Sequence, residues 1–332
     1  MPEPEVPSST WSRGWTGRRS RWGWATPSAW CASVPTANRR WWRSFRPRSR
    51  RATPKGPRGL SAGPGQRHAL RHQPGLEPGC GEGHRQPLPL FAAVVRLEGG
   101  KASEVANTWD LESGQNPDTF GPDSHPYGLA AGPGGMLWVA DAGGNDLLKI
   151  DPSSGKVSVA AVFAGLLWPK EVPVPPMMAQ GNPERGGKME LDPVPTAVVP
   201  QEDGSAFVSL LSGFPFLSGT SKVVKVAADG KVSDFATDPK FSMLTDLRQG
   251  PDGNLYAVSF ARFEFGAQGP APVPGSGAVY RITQDGKATA VLEGLLFPTS
   301  LDFGKGGDLY VTVGGAGAPG SGSLVMYKGL AK

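Results

Sequence analysis

Gly250-Pro-Asp-Gly-Asn-Leu-Tyr-Ala257 is the clearest of four passages that align on the glycine of a turn. In every copy a small or apolar residue lies two positions after that glycine, an aromatic residue three after it, and Val or Ala four after it. This alternation is typical of a β-strand that leaves a tight turn. The other copies are 132–139, 201–208 and 304–311, so the turn glycines at 135, 204, 253 and 307 are 69, 49 and 54 residues apart.

Further strands are predicted on both sides of these copies. A short apolar stretch precedes each copy, and a second hairpin follows the first three, at 147–157, 223–232 and 279–288. Two of these hairpins carry Asp-Gly, which suits turns that need a positive φ. Four short strands per unit of roughly 45 to 55 residues predict an all-β fold, a β-propeller of four-stranded blades. We place the blades at about 126–163, 193–237, 243–294 and 297–331.

The start of the repeat array is incomplete. Residues 92–106 match only the second half of a blade, and nothing in 1–88 supplies its first half. A propeller needs a closed ring to protect its edge strands. We therefore expect a propeller domain over 89–332 that lacks a first blade or more and derives from a six-bladed parent.

Residues 1–88 follow a different composition. They hold 15 Arg and one Lys against four Glu and no Asp, whereas 89–332 hold 18 basic and 25 acidic residues. No helical or strand pattern of apolar residues runs through this Arg/Trp/Pro/Gly-rich segment, so it is predicted to be disordered. Its residue types are those that GC-rich DNA yields when it is translated out of frame, which is our interpretation of it. The alternatives are a solvated tail and an arm that binds nucleic acid or an anionic membrane through Arg and Trp.

Several classes of protein are excluded by composition. The longest apolar stretches, such as 160–167, fall far short of the roughly 20 residues of a membrane-spanning helix. As written, the first 30 residues contain no apolar run of the kind that a secretory signal needs. Cys31 and Cys80 are the only cysteines, so neither a disulfide framework nor paired CxxC zinc spacing is expected.

Five stretches carry a resemblance to a known family. They are Asn116-Pro-Asp118, Asp123–Leu129, Asp141–Lys149, Pro195-Thr196 and Gly213-Phe-Pro-Phe216. Together with the Gly250 hairpin they make the chain resemble the bacterial ScyD/ScyE family, NHL-like propellers associated with scytonemin gene clusters, over about residues 92–331. The resemblance implies a six-bladed propeller that is exported to the periplasm or beyond, with no established catalytic residues. Residues 1–88 do not match it.

Ligands of propellers bind at the central channel and the loops around it, so the polar residues there are the candidates. We expect ligand contacts from Asp246 on an inner strand, Asp141 and Asn145 in a Gly/Asn/Asp loop, and His125 and Tyr127 at the start of the first inner strand. No nucleophile or phosphate-binding loop accompanies His125.

A metal site is the alternative use of the same carboxylates. Asp246, Asp141 and Asp302, with Asp146 nearby in sequence, offer the oxygen ligands that a divalent cation such as calcium needs. The simpler structural explanation is that loop Asp and Asn side chains cap turns and that Asp302 points outward.

Two functions follow from these observations. The leading hypothesis is a non-catalytic propeller scaffold, without a cofactor, that binds a small molecule or a protein through its loops. The alternative is a lactonase- or lyase-type enzyme with a divalent cation in the channel. Nucleic acid is not an expected partner of the acidic propeller. Long insertions at 166–192 and 261–276 are candidates for a binding rim.

Overall fold

The computed structural model describes residues 90–173, 189–266 and 269–331. The predictions for residues 1–88, namely disorder, an out-of-frame origin and nucleic-acid binding, lie outside the described residues. Part of the 166–192 insertion also lies outside them.

The prediction of an all-β propeller of four-stranded blades is confirmed. Every blade is an antiparallel meander in which each strand pairs with the next. Blade 1 consists of β3 (Pro126–Ala131), β4 (Leu137–Asp141), β5 (Asp146–Ile150) and β6 (Val157–Val162). Blade 2 consists of β9 (Pro195–Pro200), β10 (Ala206–Leu210), β11 (Lys222–Val226) and β12 (Val232–Thr237). Blade 3 consists of β13 (Leu244–Gln249), β14 (Leu255–Ser259), β17 (Gly277–Ile282) and β18 (Ala288–Leu295).

Blade 4 is smaller, with three strands among the described residues: β19 (Ser300–Phe303), β20 (Leu309–Val313) and β21 (Ser323–Tyr327). A separate hairpin of β1 (Ala93–Glu98) and β2 (Lys101–Asn107) precedes blade 1 and leads into the only α-helix of the described residues, α1 (Thr108–Gln115). Two further two-stranded sheets lie outside the blades. One pairs β7 (Leu166–Leu167) with β8 (Glu190–Leu191) in the connection between blades 1 and 2, and the other pairs β15 (Phe263–Gly266) with β16 (Gly269–Pro272) between β14 and β17. The described residues thus contain four blades, and a ring of six stays a prediction.

The hydrophobic core lies between neighbouring blades. Because alternate residues of a strand face opposite sides of the sheet, each blade presents one apolar face to the blade before it and one to the blade after it. Leu147 and Val208 belong to the cluster that joins blades 1 and 2. Leu247 and Val223 belong to the cluster between blades 2 and 3, and Val94 joins the β1–β2 hairpin to blade 1.

The repeated turn has a steric reason for its first glycine. A Cβ atom on Gly250 would lie 2.6 Å from a ring carbon of Tyr256, and one on Gly304 would lie 2.7 Å from the ring of Tyr310. The aromatic ring therefore folds back over the turn, and the glycine leaves room for it. Blade 2 has Gln201 at this position, and its aromatic residue Phe207 packs instead on Phe235, with ring centroids 4.4 Å apart.

The connections of the blades divide the propeller into two ends. Successive connections of an antiparallel meander alternate between the two ends of its strands, so the first and third connections of the blades lie at one end of the propeller. We call this end the turn end; it comprises 132–136, 151–156, 201–205, 227–231, 250–254, 283–287 and 304–308. The loop end comprises α1 and the segment up to residue 125, the β4–β5 loop, and residues 211–221, 260–266, 269–276 and 314–322.

No helix in the described part of the chain is long and apolar enough to cross a membrane.

Candidate functional site

Helix α1 brings a glutamate to the loop end of blade 1. The helix begins after Asn107, whose side chain accepts a hydrogen bond from the Trp109 N–H at 3.0 Å. It ends at Asn116, which adopts a left-handed conformation and donates its backbone N–H to the Glu112 carbonyl. Both ends of the helix are therefore capped. Thr108, Leu111 and Glu112 form its buried side.

Asp141 at the end of β4 is held by four protein donors. Its carboxylate accepts hydrogen bonds from the Ser124 hydroxyl at 2.6 Å, from the backbone N–H of His125, and from the N–H groups of Gly143 and Gly144 at 3.1 and 3.2 Å. Burial raises the pKa of Asp141, while these hydrogen bonds lower it. Asp141 thus fastens the β4–β5 loop to the segment that precedes β3.

Asp146 at the start of β5 has no such donors. It is 1% exposed, and neither of its carboxylate oxygens has a hydrogen-bond partner within 90–173, 189–266 and 269–331. Glu112 is 2% exposed, and its Oε1 atom likewise lacks a partner in that part of the chain. A backbone hydrogen bond from Asp123 partly compensates Glu112, whereas Asp146 has no such bond in that part of the chain. Burying a carboxylate without compensation is costly, so Asp146 differs in kind from Asp141.

Glu112 and Asp146 face the same small space beside Gly144. A Cβ atom on Gly144 would lie 3.1 Å from Glu112 Oε2, 3.5 Å from Asp146 Oδ1 and 3.4 Å from the Asp123 backbone oxygen. Gly144 has no side chain to fill this space. Three oxygens from α1, from the segment before β3 and from β5 therefore converge at one place.

The electrostatics of this cluster favour protonated carboxyls in the absence of a cation. Burial, with repulsion from Asp141, Glu112 and Asp118, raises the pKa of Asp146 to about 9. Burial and the charges of Asp118 and Asp141 raise the pKa of Glu112 to about 7. Burial and the charge of Asp141 raise the pKa of Asp123 to about 6.

Four of the five predicted ligand residues lie at this end of blade 1. His125 binds Asp141 through its backbone, and its ring makes an edge-to-face contact with Tyr127 at 6.4 Å between centroids. The Asn145 side chain donates to Asp118 Oδ2 at 2.9 Å and accepts from the Val194 N–H at 3.2 Å. Asn145 therefore connects the segment after α1 with the start of blade 2.

Asp246, the fifth predicted residue, joins blade 3 to blade 4. Its Oδ2 accepts hydrogen bonds from the Ser300 hydroxyl at 2.6 Å and the Leu301 N–H at 3.1 Å, and its Oδ1 accepts one from the Leu247 N–H at 2.9 Å. Arg248 lies 3.4 Å from the same carboxylate. These hydrogen bonds to Asp246 therefore hold the strands β13 and β19 together.

These hydrogen bonds do not connect Asp246, Asp141 and Asp302, the predicted metal ligands, with one another. Asp302 is exposed on β19 and accepts the N–H of Phe303, while Asp246 and Asp141 are bound as described above. Within the described residues no group of three His, Cys, Asp or Glu side chains is arranged to hold a metal ion. Calcium binding by Asp246, Asp141 and Asp302 together stays a prediction.

Sequence reasoning missed Glu112 and Asp123 as members of the cluster, although a signal was present. The Asn116-Pro-Asp118 and Asp141–Asp146 stretches carry the family resemblance, and the fold brings them together through Asn145 and Asp118. Glu112 lies in neither stretch, so the sequence carries no such signal for it.

An aromatic ledge forms a second feature of the loop end. We define it as Phe214, Phe216, Phe263 and Phe265. The ring centroids of Phe214 and Phe216 are 5.9 Å apart, and those of Phe216 and Phe263 are 4.9 Å apart. Phe265 lies two residues further along β15, on the same side of the strand as Phe263. Phe214 is 48% exposed and Phe265 50% exposed, so loops of blades 2 and 3 together present aromatic surface to solvent.

The clefts between blades are separate from both features. One groove of about 480 Å³ lies between blades 1 and 2 and is lined by Leu167 and Val232 among others. A second, also of about 480 Å³, lies at the turn end between blades 2 and 3 beside Phe207 and Gln284. Neither groove contains a predicted site residue.

Neither a family model nor a curated protein sequence matches the chain. Several solved structures are similar to it. A virginiamycin B lyase from Staphylococcus aureus is 17% identical, with 71% of this chain and 63% of that chain covered and a TM-score of 0.42. A gluconolactonase from Xanthomonas campestris is 16% identical, with coverage of 62% and 58% and a TM-score of 0.42.

An aldose sugar dehydrogenase from Streptomyces coelicolor, bound to PQQ, is 16% identical, with coverage of 57% and 56% and a TM-score of 0.39. The chain spans less than two thirds of the length of each of these three structures. The likeness is one of fold, and membership of the ScyD/ScyE family stays a prediction.

Proposed function

We propose that the chain is a non-catalytic binding propeller, similar to the ScyD/ScyE family, whose loop end recognises a ligand or a protein partner. The observation that carries this proposal is the aromatic ledge. Phe214 and Phe265 each leave about half of a large apolar side chain in solvent, on loops that two neighbouring blades supply.

Two of the aromatic residues that follow the repeated turns are buried, in contrast to the ledge. Trp138 and Tyr256 are 3% and 0% exposed and serve the core between blades. Exposed aromatic side chains supply large contact area at low conformational cost, which is why they dominate binding surfaces. The ledge therefore suits a partner with a flat apolar surface.

The polar candidates support binding rather than catalysis. Asp141 and Asp246 are buried, and both accept their hydrogen bonds from protein groups. A general base has to reach the proton that it abstracts from a substrate. Their roles in the described residues are those of clamps.

The ledge is tested with a double variant, Phe214→Ala with Phe265→Ala. A fragment library that contains aromatic and aliphatic compounds is screened against the full chain by ligand-observed NMR. Fragments that bind the wild-type protein should lose their signal with the double variant. The matched control is Leu324→Ala with Met326→Ala, which removes two comparably exposed apolar side chains from β21. Fragments that bind the ledge variant as well as the wild type would overturn the proposal.

A metal-dependent lactonase or lyase is the second candidate. The concentration of carboxylates around Asp141 is the observation that favours it. Turnover of a lactone panel with added divalent cations, lost in Asp123→Asn, which changes a carboxylate of that cluster, but kept in the ledge variant, would establish this candidate over the binding propeller. The absence of turnover with all cations would exclude it for that panel.

A further inference from the structure

We propose that Glu112 and Asp146, together with the backbone carbonyl of Asp123, bind one calcium ion at the loop end of blade 1. The ion would be structural, and it would link α1 to β5. This site uses neither the aromatic ledge nor Asp246 and Asp302, so it does not depend on the proposed function.

Asp146 is buried without compensation from the described residues. Both of its carboxylate oxygens are inaccessible to solvent and have no hydrogen-bond partner in the described part of the chain. Isolated buried carboxylates are rare unless they are paired or bind a metal. The ion pairs of Lys222 with Asp234 and of Arg262 with Glu264 lie elsewhere, in blade 2 and beside β15.

The neighbouring carboxylate of Asp141, by contrast, is compensated by hydrogen bonds. Asp141 lies in the same loop, is equally buried, and receives four hydrogen bonds. The fold therefore supplies donors where a carboxylate serves as a clamp. It supplies none to Asp146 among the described residues, which indicates that a different partner is expected there.

Three oxygen atoms converge beside Gly144. Glu112 Oε2, Asp146 Oδ1 and the Asp123 carbonyl oxygen surround the space that a side chain at this position would fill. Calcium binds oxygen ligands from carboxylates, backbone carbonyls and water, with 6–8 ligands in total. Two carboxylates and one carbonyl leave room for water, and two negative charges match the charge of the ion. An all-oxygen set favours calcium over zinc, which prefers nitrogen and sulfur.

The test measures calcium-dependent stability of the full chain after treatment with chelator at pH 8. Calcium titration by calorimetry should show one site, and calcium at about 100 times its Kd should raise Tm by roughly 5 to 10 °C. Asp146→Asn and Glu112→Gln should abolish the response. Both variants replace a buried carboxyl by a neutral amide of similar shape and relieve the repulsion within the cluster, so they should melt cooperatively and at least as high as the wild type in chelator.

Two further variants separate a specific site from general charge effects. Gly144→Ala keeps every carboxylate but places a methyl group 3.1 Å from Glu112 Oε2, so it should also abolish the response. Asp302→Asn removes an exposed carboxylate on β19 and should respond like the wild type.

Three results would overturn the proposal. They are the absence of a calcium-dependent rise in Tm for the wild type, an equal rise in Asp146→Asn, and a weak rise that is the same in all variants. The ledge variant Phe214→Ala with Phe265→Ala should keep the calcium response, so failure of this site and failure of the proposed function are distinguishable.

Discussion

The two ends of the propeller treat their carboxylates in opposite ways. At the turn end the pKa of Asp151 is lowered to about 2 because the Ser153 hydroxyl and N–H donate to it. Hydrogen bonds from Ser205 and Thr283 likewise lower the pKa values of Asp203 and Asp285. At the loop end burial raises the pKa values of Glu112, Asp123, Asp141 and Asp146. Charge is therefore stabilised by the turns and destabilised by the loops.

This difference indicates that the repeat is modified at the loop end of blade 1. Blade 3 shows the ordinary version of the blade 1 clamp, because Ser259 occupies the position of Asp141 and donates to the Ser242 carbonyl at 2.6 Å. The partners Ser124 and Ser242 each lie 17 residues earlier in the chain. A neutral hydroxyl is sufficient to close this connection. The buried charge of blade 1 is therefore an addition to the scaffold, and such additions are expected at functional sites.

The largest effect should come from removing the loop-end clamp. Asp141→Ala removes the acceptor of the His125, Gly143 and Gly144 N–H groups, of which Gly144 is buried, while the Ser124 hydroxyl keeps Thr108 Oγ1 as a partner at 2.6 Å. We expect a loss of about 3 to 5 kcal/mol in the free energy of unfolding, because unsatisfied buried donors are costly. Urea unfolding of the full chain measures it. Asp285→Ala at the turn end is the control and should change the midpoint far less; equal losses at the two ends would contradict the comparison.

The next effect is a dependence of stability on pH that belongs to the loop end. The pKa of Asp146 is about 9 in the folded chain against 3.8, and that of Glu112 is about 7 against 4.5. The folded state thus binds more protons than the unfolded state between about pH 4 and pH 9, so stability falls as pH rises through this window. The neighbouring charges of Asp141 and Asp118 act in the same direction.

Thermal melts in chelator from pH 5 to pH 9 measure this dependence. Tm should fall across the range for the wild type, and Asp146→Asn should remove most of the fall. Excess calcium should restore Tm at pH 8 and above, where the carboxyls lose their protons. A wild-type Tm that rises from pH 5 to pH 8 in chelator would show that these carboxyls are compensated.

The sequence predicts the turn end and the blades better than the loop end, for a physical reason. Strand alternation is local, so the residues two, three and four positions after Gly253 are enough to place β14. The acidic cluster is assembled from α1, from the segment before β3 and from the β4–β5 loop. Its members are distant in sequence, and nothing in their own stretches distinguishes Glu112 from a solvent-exposed helix residue.

The predicted site residues show the same limit. Asp246 is the one charged residue at the position seven before the turn glycine of each repeat, which the sequence reveals, but its role depends on Ser300 and Leu301 in the next blade. The aromatic ledge requires that residues 214–216 and the β15 hairpin come together across a blade boundary. The sequence pattern within one blade does not predict which residues meet across the boundary to the next blade.

The smallest effect on stability is expected for Asp252 at the turn end. Its pKa is shifted in the direction opposite to those of the loop-end carboxyls. Burial raises its pKa, but hydrogen bonds from the Asn254 side chain at 2.7 Å and the Tyr256 hydroxyl at 3.0 Å outweigh this, so the pKa is lowered. The folded pKa lies below the unfolded one, so the stabilisation is present above about pH 4 and is lost as pH falls through the folded pKa.

Asp252→Asn should lower the free energy of unfolding by about 1 kcal/mol or less at pH 7, because the site is partly exposed and each hydrogen bond contributes little net. Urea unfolding at pH 7 and pH 3 checks this, with Tyr256→Phe to complete a double-mutant cycle. The difference between Asp252→Asn and the wild type should shrink at pH 3, and a difference that grows there would show that the turn-end carboxylate is not stabilised as an anion.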